Sequence, residues 1–171
     1  GEENSLILAA ALKNNQCLKV LRLRDSALDE NGSVAVIQAL TGQEALEELD
    51  ISGNDITGNL SHALGPFLLD EKCYLKTLFM DDNEIGSAGA TDLAHILLKS
   101  ACPRLERLSL CCCEITAAGG IALAVAVSRI AAFSLLNLDG NEICSSGVEL
   151  ISEKLLSCNK TLGDMEDNDE D

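Results

Sequence analysis

Leu105-Glu-Arg-Leu-Ser-Leu-Cys-Cys-Cys-Glu-Ile115 places apolar residues at Leu105, Leu108 and Leu110, a cysteine at Cys113 and an apolar closing residue at Ile115. The same pattern begins at Leu18, Leu46, Leu75 and Phe133, in steps of 28, 29, 30 and 28 residues. Its first half alternates apolar and open positions, as a strand does. After each closing residue (Leu28, Ile56, Ile85, Ile115, Ile143) small or apolar residues recur four, eight and twelve positions on. These are Gly32/Val36/Leu40, Leu60/Leu64/Leu68, Gly89/Leu93/Leu97, Gly119/Leu123/Val127 and Gly147/Ile151/Leu155. A step of four follows one helical face. Each unit is therefore a short strand, a turn and a helix.

A period of this length with L-x-x-L-x-L-x-x-(N/C)-x-(L/I) at its core is that of a leucine-rich repeat. Such a unit buries its apolar face only against its neighbours, so the units stack. Strands joined by crossover helices run parallel, with right-handed crossovers. The expectation is an α/β solenoid, a right-handed horseshoe segment. Strands near 19–24, 47–52, 76–81, 106–111 and 134–139 line its concave side, and helices cover its convex side. Residues 1–165 read as one leucine-rich repeat domain of about five full repeats, after an N-terminal half repeat and before a rudimentary C-terminal strand. Residues 166–171, nearly all acidic, read as a solvated, disordered tail.

Local departures from the pattern carry further expectations. Residues 1–17 are the helical half of a repeat, with Asn4, Leu8 and Leu12 keeping the inward spacing. No polar cap precedes them, so the natural protein is expected to extend upstream. The open N-terminal edge is then a place for self-association. Ser26 stands where later repeats have Asn54, Asn83 and Asn141. That asparagine satisfies backbone groups in the turn, which a hydroxyl does in part. Gly65-Pro66 falls inside the second full helix and predicts a kink or break.

Composition excludes several functions. The net charge is −16, tryptophan is absent and aromatics are 2%, so there is neither a basic stripe for phosphates nor a platform for bases. Nucleic acid is not an expected partner, and an acidic chain suits a basic protein. No apolar run has membrane-spanning length, so membrane insertion is not expected. Cys17, Cys73, Cys102 and Cys158 stand just before repeat or repeat-like starts, where a small apolar side chain fills a junction. They are read as reduced thiols of an intracellular protein.

No catalytic residue, metal site or cofactor site is assigned. Cys111-Cys112-Cys113 offers adjacent rather than converging ligands. His62 and His95 fall in different helices. The stronger candidate is the open strand face, Arg22, Arg24, Glu48, Asp50, Phe79, Asp81, Asp82, Arg107, Asn137 and Asp139. Ser109 and Cys111 are expected on the same open face. Solenoids use such extended faces to bind proteins. The acidic tail residues Asp164, Glu166, Asp167, Asp169, Glu170 and Asp171 form a second candidate.

The I-x-x-x-G steps and the Leu-Ala and Ala-Leu pairs of the helices resemble the ribonuclease-inhibitor class of these repeats. Within that class, Leu105–Val127, Leu136-Asn-Leu-Asp-Gly-Asn-Glu-Ile143, Gly147-Val-Glu-Leu-Ile151 and the acidic run that follows resemble the C-terminal part of the Ran GTPase-activating proteins. The resemblance implies a crescent of repeats that stimulates GTP hydrolysis by the small GTPase Ran in nucleocytoplasmic transport. The family supplies no arginine finger. It places its implicated asparagine in the N-terminal half, so no catalytic residue carries over and this segment alone is expected to be inactive. The resemblance also implies a cytoplasmic protein associated with the nuclear envelope. Two other readings stay open: a ribonuclease-inhibitor-like binding module, and the sensor half of an innate-immune receptor.

Overall fold

The structure, a computed structural model, describes residues 2–58, 61–99 and 102–168. Helix α1 (Glu2–Lys13) is followed by five strand–helix units. These are β1 (Val20–Arg22) with α2 (Glu30–Ala39), β2 (Glu48–Asp50) with α3 (Ser61–Leu68), β3 (Thr77–Phe79) with α4 (Gly86–Lys99), β4 (Arg107–Ser109) with α5 (Ala117–Val127), and β5 (Leu135–Asn137) with α6 (Ser145–Leu156). A final strand, β6 (Thr161–Leu162), pairs with β5. The strands form one parallel sheet in sequence order. The chain is thus an α/β leucine-rich-repeat solenoid.

Register explains the core. Leu21, Leu49, Leu78, Leu108 and Leu136 lie opposite one another across the sheet and are all buried. Each such leucine contributes about 1.5 to 3 kcal/mol by leaving water. Every inward helix residue of the four-step series that the structure describes is buried too; Leu60 lies outside the described residues. The glycine that opens four of the five series, Gly32, Gly89, Gly119 and Gly147, sets the helix spacing. At Gly147, a Cβ would stand 2.6 Å from the Cβ of Ala117 in the preceding helix. Strands stack about 4.8 Å apart whereas helices need about 10 Å, so the stack curves with the strands inside.

Three local expectations are corrected. In α1 the inward residues are Ser5, Ala9 and Leu12, with Leu8 half-buried and Asn4 exposed. Pro66 does not break α3, which runs through it as a helix of 8 residues. The helix is short, and only one of its backbone bonds is lost. Cys17 is exposed rather than packed into a junction, while Cys73 and Cys102 are buried.

The turns after the strands are held by a ladder. Asn54 directs its amide at the carbonyls of Leu23, Ile51 and Ser52, and its Oδ1 accepts from the N–H groups of Ser26 and Leu28. Asn83 does the same for Ile51, Met80, Asp81, Asn54 and Ile56. Asn141 serves Leu110, Leu138, Asp139, Cys113 and Ile115. Cys113 takes this place in the fourth unit, its thiol directed at the carbonyls of Met80 and Cys111, each at 3.2 Å. Asn168 adds a further rung, its Oδ1 accepting from Asn141 N–H at 3.0 Å. The stack therefore continues to Asn168, past the residue where composition alone begins the tail. In each unit the residue four places after the central strand leucine is left-handed: Asp25, Gly53, Asp82, Cys112 and Gly140 have φ of 52°, 64°, 54°, 51° and 66°.

Candidate functional site: a concave face and an acidic rim

Strand alternation turns Arg22, Glu48, Asp50, Phe79, Arg107 and Asn137 to the concave side, and the first turn residues add Arg24, Asp81, Asp82 and Asp139. Several of these charges neutralise one another. Arg22 Nε donates to Glu48 Oε1 at 2.7 Å. Arg24 reaches across two units, its Nη2 donating to Asp82 Oδ2 at 2.6 Å and its Nη1 lying 3.9 Å from Asp81 Oδ2.

Other carboxylates hold backbone. Asp81 Oδ1 accepts from the Ser109 hydroxyl at 2.6 Å and from Cys111 N–H at 2.9 Å. Ser109, expected to be open, is buried by this contact, and Cys111 is half-buried. Asp50 accepts from Ser52 N–H and Asp139 from Asp167 N–H. The latter ties the start of the acidic run to the concave face. What remains open is a patch of mixed chemistry. Arg107 is exposed, stands in register between Thr77 and Leu135, and makes no ion pair among the described residues. Phe79 is half-buried beside it, and Asn137 packs on Gly163 with its Oδ1 buried and unpartnered.

A second surface escaped the reading of the strand face. The residue after each ladder position is acidic in four consecutive units, Asp55, Glu84, Glu114 and Glu142, and all four are exposed. Stacking sets them side by side along the strand-to-helix edge. Asp25, Asp29, Asp82, Asp164, Glu166 and Asp167 extend the same edge. Its segments after β2 to β6 contain no Lys or Arg among the described residues. The signal was present in Asn54-Asp-Ile, Asn83-Glu-Ile, Cys113-Glu-Ile and Asn141-Glu-Ile. The opposite, helix-to-strand edge is mixed. There Lys72 pairs with Glu44, Lys76 with Glu47, and the Arg104 guanidinium lies 4.1 Å over the Tyr74 ring. The hydrogen bond and charge of Lys76 hold the Glu47 carboxyl below its usual range. Asp169, Glu170 and Asp171 lie outside the described residues.

The cysteine cluster does not converge. Burial pushes the Cys111 thiol up to about 11 and the Cys113 thiol to about 12, and Cys112 is raised by burial and then by Asp82 and Asp81. Thiols held protonated in this way are poor metal ligands. Among the described residues no group of His, Cys, Asp and Glu is arranged to hold a metal ion, and no helix is long and apolar enough to cross a membrane. His95 is exposed, and the side chain of His62 lies outside the described set.

Comparison with known proteins agrees with the fold. Leucine-rich repeat family models match residues 45–67, 71–94 and 101–124. The chain is 31% identical over 145 residues to RAN GTPase-activating protein 2 of Arabidopsis thaliana, which covers 84% of this chain and 26% of that protein. It is 29% identical over 185 residues to the ribonuclease inhibitor of Sus scrofa, covering 91% of this chain and 40% of the inhibitor. The chain thus spans less than half the length of either relative. The solved structure of leiomodin-1 actin-binding site 2 superposes with a TM-score of 0.68 over 89% of this chain and 87% of that one. At 16% identity this likeness concerns the fold alone.

Proposed function

We propose that this chain is a protein-docking segment of a GTPase activator for Ran, working in the cytoplasm. The similarity to RAN GTPase-activating protein 2 supports the partner class. The observation that carries the docking role is the unbroken acidic edge of Asp55, Glu84, Glu114 and Glu142, flanked by Asp82 and Asp167. A basic surface of the GTPase seats along this edge, while Arg107 and Phe79 contact it from the concave side. The segment contributes position rather than reacting atoms, so hydrolysis uses the GTPase's own water and phosphate machinery. A second reading, a ribonuclease-inhibitor-like module that blocks a basic enzyme, is favoured by the inhibitor similarity and uses the same edge.

Single-turnover hydrolysis by GTP-loaded Ran separates the two. The full-length protein should accelerate hydrolysis at amounts well below Ran, whereas this chain alone should bind weakly without acceleration. Replacing Glu84, Glu114 and Glu142 by Gln should slow association at low salt and matter little at high salt, because such attraction is screened within about 8 Å at physiological ionic strength. No acceleration by full-length protein would sink the Ran reading. One-to-one inhibition of a ribonuclease would establish the second.

A further inference from the structure

Two thiols meet in the core between the third and fourth units. Cys73 and Cys102 have their sulfurs 3.3 Å apart, and their exposures are 4% and 1%. Each precedes the strand of its own unit, and the chain between them comprises all of β3 and α4. Closing the gap to a disulfide, about 2.05 Å between sulfurs, requires a local shift of little more than 1 Å. Either sulfur can donate in this contact; with the Cys102 proton shared toward Cys73, that hydrogen bond holds the Cys73 thiol below its usual range, so Cys73 ionises first. The same bond, and then burial, push Cys102 up.

We propose that Cys73 and Cys102 are a peroxide-oxidisable pair that closes a covalent ring around the third repeat and clips it to the fourth. The oxidant is hydrogen peroxide. Burial shields the pair from large oxidants, a molecule of that size needs only local opening to reach it, and a net charge of −16 disfavours anionic oxidants such as glutathione disulfide. The Cys73 thiolate attacks one peroxide oxygen, the O–O bond breaks, and Cys73 becomes a sulfenic acid as hydroxide leaves. Cys102 then loses its proton and attacks the Cys73 sulfur. The S–O bond breaks, and the departing hydroxide takes up a proton as water. In sum, two thiols and one hydrogen peroxide give one disulfide and two waters. The clip fixes the distance between the strands that present Phe79 and Arg107, so oxidation bears on the concave face.

The test treats the folded, reduced chain with hydrogen peroxide, alkylates remaining thiols after denaturation, and maps tryptic peptides. Cleavage at Lys72, Lys76, Lys99 and Arg104 yields Cys73–Lys76 and residues 100–104 as separate peptides. The expected result is a species joining the two, two hydrogens lighter than their sum, that dithiothreitol splits. In a Cys73→Ser variant, Cys102 should stay alkylatable at the same dose. Recovery of both cysteines as alkylated thiols in the parent chain, over-oxidation without cross-linking, or joining to other cysteines would overturn the proposal. So would equal oxidation of Cys102 in the Cys73→Ser variant, should that variant fold. If it does not, the parent map alone decides.

Discussion

The Oδ1 of Asn141 lies 3.0 Å from the backbone nitrogen of Cys113 and accepts its proton across a repeat boundary. Cys113 offers only a sulfur in the corresponding direction, toward Asn83 N–H. One rung of the ladder is therefore weaker than its neighbours.

Removing a strong rung should be costly. Asn141→Ala leaves the N–H groups of Cys113 and Ile115 and the carbonyl of Leu110 without partners in a buried turn. The expected loss is about 3 kcal/mol, read as a lower urea midpoint. Cys113→Asn should do the reverse, because an amide can accept from Asn83 and donate twice. A gain of about 1 kcal/mol is expected, and a loss would show that the site cannot accommodate the amide.

The left-handed column offers a second test. Asp25 and Cys112 hold φ of 52° and 51° where neighbouring units use Gly53 and Gly140. For an L-residue this costs roughly 1 to 2 kcal/mol. Cys112→Gly should stabilise the chain by about 0.5 to 1 kcal/mol once the entropy of glycine is subtracted, and Cys112→Val should destabilise it. Thermal melts of the two variants beside the parent would show the order.

Alkaline conditions should unfold the protein through its thiols. Burial raises Cys111 and Cys113 to about 11 and about 12 from an ordinary 9.0. A thiol whose pKa is higher when folded binds its proton more tightly in the folded state. The stability this represents is complete below pH 9 and is lost as pH rises through 11 to 12. Denaturant midpoints measured from pH 8 to 11 should fall, and the fall should be smaller in Cys113→Ala.

The pair of Arg24 and Asp82 should matter little to folding despite its 2.6 Å contact, since the two side chains are 47% and 50% exposed. Arg24→Ala is expected to shift stability by no more than about 0.5 kcal/mol. Because the same change uncovers Asp81 and Asp82, it should strengthen binding of a basic partner at low salt. Equilibrium denaturation and a binding titration on the same variant distinguish the two roles.

The repeat step made the solenoid legible in the sequence, because a period of strand and helix leaves one parallel arrangement that buries both apolar faces. The central leucine of each strand and the four-step helix residues follow directly. The concave face was harder to read. Alternation says which side Asp81 and Ser109 occupy, but not that Asp81 accepts from Ser109 and buries it. Such contacts depend on the register between units. Asn168 was obscured by composition and by spacing: in an acidic run it reads as tail, and it stands 27 residues after Asn141, one short of the ladder's 28-residue minimum, yet it accepts from the Asn141 N–H as the other rungs do. The exposed column of Asp55, Glu84, Glu114 and Glu142 needed the units to be laid over one another instead of read along the chain.

That column also has a consequence at a distance. With carboxylates gathered on the strand-to-helix edge, and Lys19, Lys72, Lys76, Arg104 and Arg129 among the charges of the helix-to-strand side, the molecule carries a permanent electric dipole across its width. A charged body drawing near exerts a torque on such a dipole, which turns before the surfaces touch. Part of the rotational search that usually limits protein encounter is thereby completed during approach, and the acidic edge arrives already facing the positive side of whatever it meets.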